Sequence, residues 1–385
     1  MNNVSVITMF FLSGFTETVN YRFILFFLSL LCYCIICLVN ISLIVTIILD
    51  SNLHEPMYIL LCAFCMNGLY GTTGLYPKFL WDLLSDVHVI SYYGCLIQIQ
   101  MVYSFACGEL SILALMAYDR YMAICQPLKY HSIMSKQRVI RLVCFSWLTT
   151  FCIMAINTFL TSRLMLCSPY ISRLFCVNWS IVQLACFPEQ TAINGIVANI
   201  TIIIYFLHGA FIFWSYMYII KTCVNSIENR AKFTQTCVPH LVSLFTFVVT
   251  ILLDVTNMRL GSKELPQTLQ NIVSIEFLVI PPIMNPLMYG FKLTKIRKRI
   301  CVILKTKVDF DKEDKIPRQN DGVEDFWRAV QTTKTQSSLD PLSQALDTQV
   351  AQDSQALAGP ITNLCANYGL NRLQRPGDRD LQVKQ

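Results

Sequence analysis

Charge is scarce in this chain. Only 14% of its 385 residues are Asp, Glu, Lys or Arg, against roughly 25% in an average soluble protein. So few charges make a poor aqueous surface, which excludes the two or three soluble domains that the length alone would allow. Glycine and proline are also few, at 14 each, which excludes a collagen-like repeat. An apolar fraction of 54% excludes a chain that is disordered throughout. The 17 cysteines are spread over a long chain, so a disulfide-rich miniprotein is excluded too. No cysteine pair has zinc-ligand spacing with histidine partners, no internal repeat is apparent, and no cofactor motif is present. Residues 1–20 have neither a basic start nor a small-residue cleavage site, so they do not read as a removable signal peptide.

Long uncharged runs stand in place of these features. A bilayer core needs about 20 consecutive apolar residues as helix. No charge lies between Arg22 and Asp50, which places span one near residues 23–49. Span two runs from Met57 to Pro77, and span three from Cys95 to Tyr118 with one acid, Glu109. Spans four (Leu142–Ser162), five (Gln190–Ile220) and six (Phe233–Leu253) carry no charge, and span seven, about Leu265–Phe291, carries Glu276. The runs are continuously apolar where barrel strands would alternate, so the expected fold is all-α, a bundle of seven transmembrane helices.

Charge distribution orients the bundle. Residues 1–308 hold 21 Lys and Arg against 12 Asp and Glu, while residues 309–385 hold 9 against 12. The formal excess of +6 therefore belongs to loops of a membrane domain and is not a nucleic-acid signal. Segments after spans one, three, five and seven carry 14 of the bases; the N-terminus and the other loops carry 6. By the positive-inside rule the N-terminus is outside and the C-terminus cytoplasmic. Asn3-Val4-Ser5 is then an outer glycosylation sequon, with Asn3 the expected acceptor; Asn178-Trp179-Ser180 is a weaker one, being close to Cys176. Cys95, Cys167, Cys176 and Cys186 face the oxidising side. If all four pair, one bridge ties the loop after span four to span three, and three connectivities remain open. Cys301, after the basic run Lys292–Arg299, reads equally as a palmitoylation site or a plain cysteine.

Short motifs are more specific than the spans. Met116-Ala117-Tyr118-Asp119-Arg120-Tyr121-Met122-Ala123-Ile124-Cys125 is followed by Pro127-Leu128-Lys129-Tyr130. Leu53-His54-Glu55-Pro56-Met57-Tyr58 enters span two, and Pro77-Lys78 stands at its expected end. Ser215-Tyr216 lies near the inner end of span five, and Lys232 through Thr236-Cys237-Val238-Pro239-His240 opens span six, with Phe233 where an Ala is usual. Span seven carries Pro281-Pro282-Ile283-Met284-Asn285-Pro286-Leu287-Met288-Tyr289. In this order, over residues 3–305, the set resembles the vertebrate olfactory receptors, a branch of the rhodopsin-like G-protein-coupled receptors. The stretch Asn67-Gly68-Leu69-Tyr70-Gly71 resembles fish members.

The resemblance implies roles for these residues. It pairs Cys95 with Cys176 and Cys167 with Cys186. Asp119, Arg120, Tyr121, Tyr216, His240, Asn285, Pro286 and Tyr289 become the switch that couples to the G protein. Arg120 needs a partner where the helix leaves the membrane, and the adjacent Asp119 supplies one at rest. His240 reads either as a bridge to span three or as a packed interfacial histidine. Pro286 breaks the backbone bonding of span seven, and Asn40, Asn67 and Glu109 are the candidates to satisfy it. Glu109 matches the family's proposed sodium ligand, although Gly68 stands where span two usually offers Asp. A ligand cavity is expected between the outer halves of spans three, five, six and seven. Family spacing puts Val102, Tyr103, Ala106, Cys107, Asn178, Thr201, Tyr205, Ile251, Val255 and Leu278 in its wall, a mostly apolar set suited to a small organic molecule. The implied partners are an odorant, a stimulatory heterotrimeric G protein of olfactory type acting through cAMP, and membrane lipid; the implied location is the cell membrane of olfactory cilia, and no enzyme activity is expected.

The domain reading is an extracellular N-terminus at 1–22, a receptor domain at 23–305 ending in a short amphipathic helix, and a tail at 309–385. The tail is rich in Asp, Gln, Ser and Thr and cannot bury a core, so it should be disordered. It reads as a trafficking element or a wrongly joined exon, the second being preferred. Other functional classes fit less well. A rhodopsin-like receptor for a non-odorant ligand shares every feature named. A transporter should show internal repeats with facing broken helices, and an intramembrane enzyme should place Glu109 and Glu276 in a catalytic motif, which neither occupies.

Overall fold

The computed structural model describes residues 7–15, 19–223, 237–238, 240–254, 256 and 266–292, without the side chains of 267, 268, 277, 278 and 285–292. Asn3, Val255, residues 293–299 of the basic run, Cys301 and the tail at 309–385 therefore lie outside the described residues, as do the side chains of Leu278, Asn285, Pro286, Tyr289 and Lys292. The chain divides into two compact units, Met1–Arg297 and Lys298–Gln385, and every described residue belongs to the first.

Nine α-helices follow one another among the described residues: α1 (Arg22–Leu49), α2 (Pro56–Leu84), α3 (Tyr92–Cys125), α4 (Pro127–Ile133), α5 (Lys136–Ser162), α6 (Asn178–Gln183), α7 (Ala192–Cys223), α8 (His240–Asp254) and α9 (Gln267–Lys292). Of these, α1, α2, α3, α5 and α7 are each long and apolar enough to cross a membrane; α8 and the Leu269–Met284 part of α9 are shorter apolar helices. These seven form the transmembrane bundle, while α4 and α6 are single short helices in loops. Local signals set the boundaries. The Ser91 hydroxyl accepts from Gly94 N–H at 3.1 Å to cap α3, and Ser135 caps α5 through Arg138 N–H. Pro56 begins α2 at a position where its missing N–H costs nothing.

One helix outruns the apolar run that marks its span. Span two was to end at Pro77-Lys78, yet α2 continues to Leu84 with Pro77 inside it. Proline removes one N–H and crowds the preceding turn, but the next turns hold through the Lys78–Asp82 ion pair one turn apart and the Ser85 hydroxyl donating to Trp81 C=O at 2.8 Å. Similarly, α3 and α5 extend beyond their uncharged runs to include Asp119, Arg120 and Lys136. An uncharged run measures the bilayer, whereas helix length follows the backbone hydrogen bonds.

Burial separates the helices into inner and outer ones. Helices α2 and α3 are largely enclosed, whereas α1 and α7 turn apolar side chains such as Phe27, Phe206 and Phe213 outward, as lipid contact requires. Gly71 allows α2 to approach α3 closely: a Cβ there would come within 2.3 Å of the Phe105 ring. At the outer end a three-stranded sheet forms in the order β2-β1-β3. The N-terminal strand β1 (Met9–Leu12) pairs antiparallel with β2 (Val89–Ser91) and parallel with β3 (Tyr170–Ile171), burying Phe10 and Leu12. Just after it, Gly14 lies against the backbone of Arg173, where a Cβ would sit 2.6 Å from the carbonyl carbon. Asn271 on α9 donates to Gly14 C=O at 2.7 Å. Beside this cap, Arg22 donates to Asp86 at 2.6 Å, a bond that holds the exposed Asp86 carboxyl below its usual range.

Candidate functional site: an outer cavity and an inner lock

The loop between α5 and α7 shapes the outer half of the bundle. Disulfides join Cys95 to Cys176 and Cys167 to Cys186, with Cα atoms 5.5 and 5.0 Å apart. The first fastens the loop to the top of α3, and the Gln98 side chain reinforces it by accepting from Cys176 N–H at 2.9 Å. This holds α6 across the bundle mouth. Beneath it lies a cavity of about 620 Å³.

Val102, Tyr103, Ala106 and Cys107 on α3, Asn178 on α6, Thr201 and Tyr205 on α7 and Ile251 on α8 all line this cavity. The wall also includes residues that the sequence did not single out: Met154, Asn157 and Thr158 from span four, Phe247 on α8, and Trp179 and Gln183 on α6. Span four enters because Asn157 on α5 donates to the Thr201 hydroxyl at 3.1 Å, which draws its outer half against α7. The Tyr205 phenol donates to Thr150 at 3.2 Å, and Asn178 Oδ1 accepts from Thr161 at 2.6 Å. Several polar groups in the wall thus already join one helix to another. Asn178 is half-buried, with its Oδ1 turned to Thr161. His208 stacks on Tyr205 and bonds the Ile204 carbonyl at 2.8 Å.

Two further residues went unnoticed as a pair. Asp254 ends α8 in the cavity wall, and Arg173, 7% exposed, reaches its Oδ1 at 3.0 Å and the Ser274 hydroxyl on α9 at 3.1 Å. The only signal in the chain was an acid closing an uncharged run. Arg173 counted merely as a loop base.

At the inner end, Asp119 is fully buried and bonds Arg120, whose Nε lies 2.9 Å from Oδ2. The other carboxylate oxygen accepts from the Tyr130 phenol at 2.9 Å, a partner on α4. Burial and the neighbouring Asp119 carboxylate push the Tyr130 phenol above its usual range. Tyr121 packs its ring on Trp214 of α7 at 5.6 Å. His240 is 1% exposed and reaches two helices: its Nε2 lies 3.0 Å from Leu113 C=O on α3, and its Nδ1 2.5 Å from the Tyr216 hydroxyl on α7. Of its two readings, the bridge to span three is the one this geometry matches.

Midway, Asn40 on α1 donates to the carbonyl of Pro282 at 3.0 Å. Pro286 has no N–H, so that carbonyl, four residues earlier, is the one left without its helical partner. Asn67 donates to Phe105 C=O on α3 instead. Glu109 is 1% exposed, and its Oε2 has no hydrogen-bond partner among the described residues. An orphaned buried oxygen of this kind fits a monovalent cation, to which Glu109 would supply the single carboxylate.

Similarity to known proteins follows the same extent of chain. The profile of the olfactory receptor family matches residues 28–307. Human olfactory receptor 5F1 is 31% identical over 310 residues, covering 79% of this chain and 97% of that receptor. Human olfactory receptor 5I1 is 32% identical over 315 residues, covering 80% and 98%. Mouse olfactory receptor 5G26 is 30% identical over 319 residues, covering 82% and 98%. With a profile matching most of its length and relatives aligned nearly end to end, this multi-pass membrane chain belongs to the olfactory receptor family, whose members are rhodopsin-like G-protein-coupled receptors and not enzymes.

Proposed function

We propose that the chain is an odorant receptor of the cell membrane, sited in olfactory cilia, that binds a small organic ligand in the outer cavity and activates a stimulatory heterotrimeric G protein, raising cAMP. One observation carries this reading: a single helix reaches both ends of the device. Ile251 on α8 lines the cavity, and His240 on the same helix holds α3 and α7. The two positions are about three turns, or roughly 16 Å, apart. A ligand that favours a displaced α8 would break the His240 bonds and release Arg120 from Asp119 toward the G protein. It can do so only by binding that state better; moving the ratio from 1:99 to 99:1 takes about 10⁴-fold selectivity. In this scheme Asn285, Pro286 and Tyr289 form the span-seven part of the switch, with Val255 and Leu278 completing the cavity wall. Sodium at Glu109 would balance the carboxylate charge.

The test is a chemically diverse odorant panel on cells carrying the receptor and a cAMP reporter, with nucleotide exchange followed in their membranes. Ligand-dependent exchange and cAMP are expected. Substrate uptake without exchange would replace the receptor reading by a transporter.

A further inference from the structure

Among the described residues lining the cavity, Asp254 is the single carboxylate, and none is Lys, Arg or His. Its counter-charge lies outside that wall. Arg173 approaches from the loop after α5 and continues to Ser274 on α9, and neither residue lines the cavity. A ligand inside therefore meets a carboxylate backed by a guanidinium, with the negative end facing it. Arg173 engages Oδ1 alone, through one nitrogen. A carboxylate offers about four lone-pair sites, so this contact leaves it able to accept from a second donor.

The remaining wall strengthens the bias. Thr201, Tyr205 and Asn178 are committed to hydrogen bonds between helices and loop. Tyr103, Phe175, Trp179 and Phe247 supply aromatic rings, whose faces attract cations. A buried cation without a counter-charge is strongly disfavoured, and a carboxylate reverses that through a charge-assisted hydrogen bond. An anionic ligand would meet like charge in a low-dielectric site. Simple alkylamines, with ordinary values near that of Lys at about 10.4, are protonated at neutral pH.

We propose that Asp254 is the specificity anchor of this cavity and selects ligands with an apolar body and a protonated amine. The proposal rests on the reading that the cavity holds the activating ligand. It is tested on the full chain in cells with a cAMP reporter, using two matched series: octylamine, octanol and octanoate, and phenethylamine, phenethyl alcohol and phenylacetate. In at least one series the amine should be the most potent ligand by about tenfold or more and the carboxylate silent, as a charged hydrogen bond implies. Asp254→Asn should weaken the amine about 10- to 100-fold while changing the alcohol by less than about threefold. Because that variant leaves Arg173 without its acid, Arg173→Gln with Asp254→Asn serves as the neutral pair and should behave alike; Asp254→Glu should retain the amine preference. A carboxylate that outperforms the amine, or an amine advantage that survives in the neutral pair, overturns the proposal while the alcohol responses keep the odorant-receptor reading intact. Silence of every ligand in these series and the wider panel, with receptor at the surface, overturns both.

Discussion

His240→Phe separates the hydrogen bonds of the inner lock from its packing. The imidazole stacks on Tyr216 with centroids 5.3 Å apart, and a phenyl ring can keep that contact while losing both nitrogens. The bonds removed are those to Leu113 C=O at 3.0 Å and to the Tyr216 hydroxyl at 2.5 Å. A net contribution of about 1 kcal/mol each makes roughly 2 kcal/mol, close to a 30-fold change in an equilibrium constant. The Leu113 carbonyl lies inside α3 and keeps its own helical position, so no orphaned-group penalty is added on that side. If both bonds belong to the inactive state alone and about 1% of receptors are active at rest, the variant should hold about a quarter of them active without ligand. The assay is basal cAMP per surface receptor, with surface receptor counted by an N-terminal epitope tag. A basal signal equal to or below that of the wild type, at equal surface density, refutes the lock.

Arg120→Ala should abolish ligand-stimulated cAMP while surface delivery survives; undiminished cAMP contradicts its place in the switch. Cys95→Ser and Cys176→Ser each remove the bridge that fastens the loop to α3, a loss of about 2–5 kcal/mol for a native disulfide, and should block delivery by flow cytometry. Gly14→Ala forces a Cβ to within 2.6 Å of the Arg173 backbone and should lower surface receptor, whereas Gly209→Ala, with nothing within 4 Å, should not; equal loss in both removes the close-packing argument. Asn40→Leu strips the donor from the Pro282 carbonyl and should cost about 1–3 kcal/mol, read as a lower melting temperature of the purified receptor; an unchanged melting curve speaks against it.

Much of the fold was legible because a bilayer imposes one-dimensional rules. Seven long apolar runs, five of them without a charge, mark the spans, and base counts in alternate loops orient them. The errors have physical causes. Pro77 read as a helix end, since a proline costs one backbone bond, but it does not stop the turns beyond it. Met9–Leu12 carried no strand signal strong enough to notice, because its partners lie 80 and about 160 residues away in two separate loops. Span four was left out of the cavity wall because it carries no charge or motif; bonds such as Asn157–Thr201 and Tyr205–Thr150 show which of its faces turns inward.

The amino-acid sequence by itself determined the membrane class, the number and direction of the spans and the family, since apolar run length, charge asymmetry and motif order are properties of a line. Tertiary structure decided which groups meet. Arg173 and Asp254 are 81 residues apart, and Asn40 and Pro282 are 242 apart. Nothing local marks such pairs. A charge or a bare carbonyl in low dielectric must find its complement among whatever surfaces the packing brings near. The scarcity of charge that defines this chain is what makes each of those few meetings consequential.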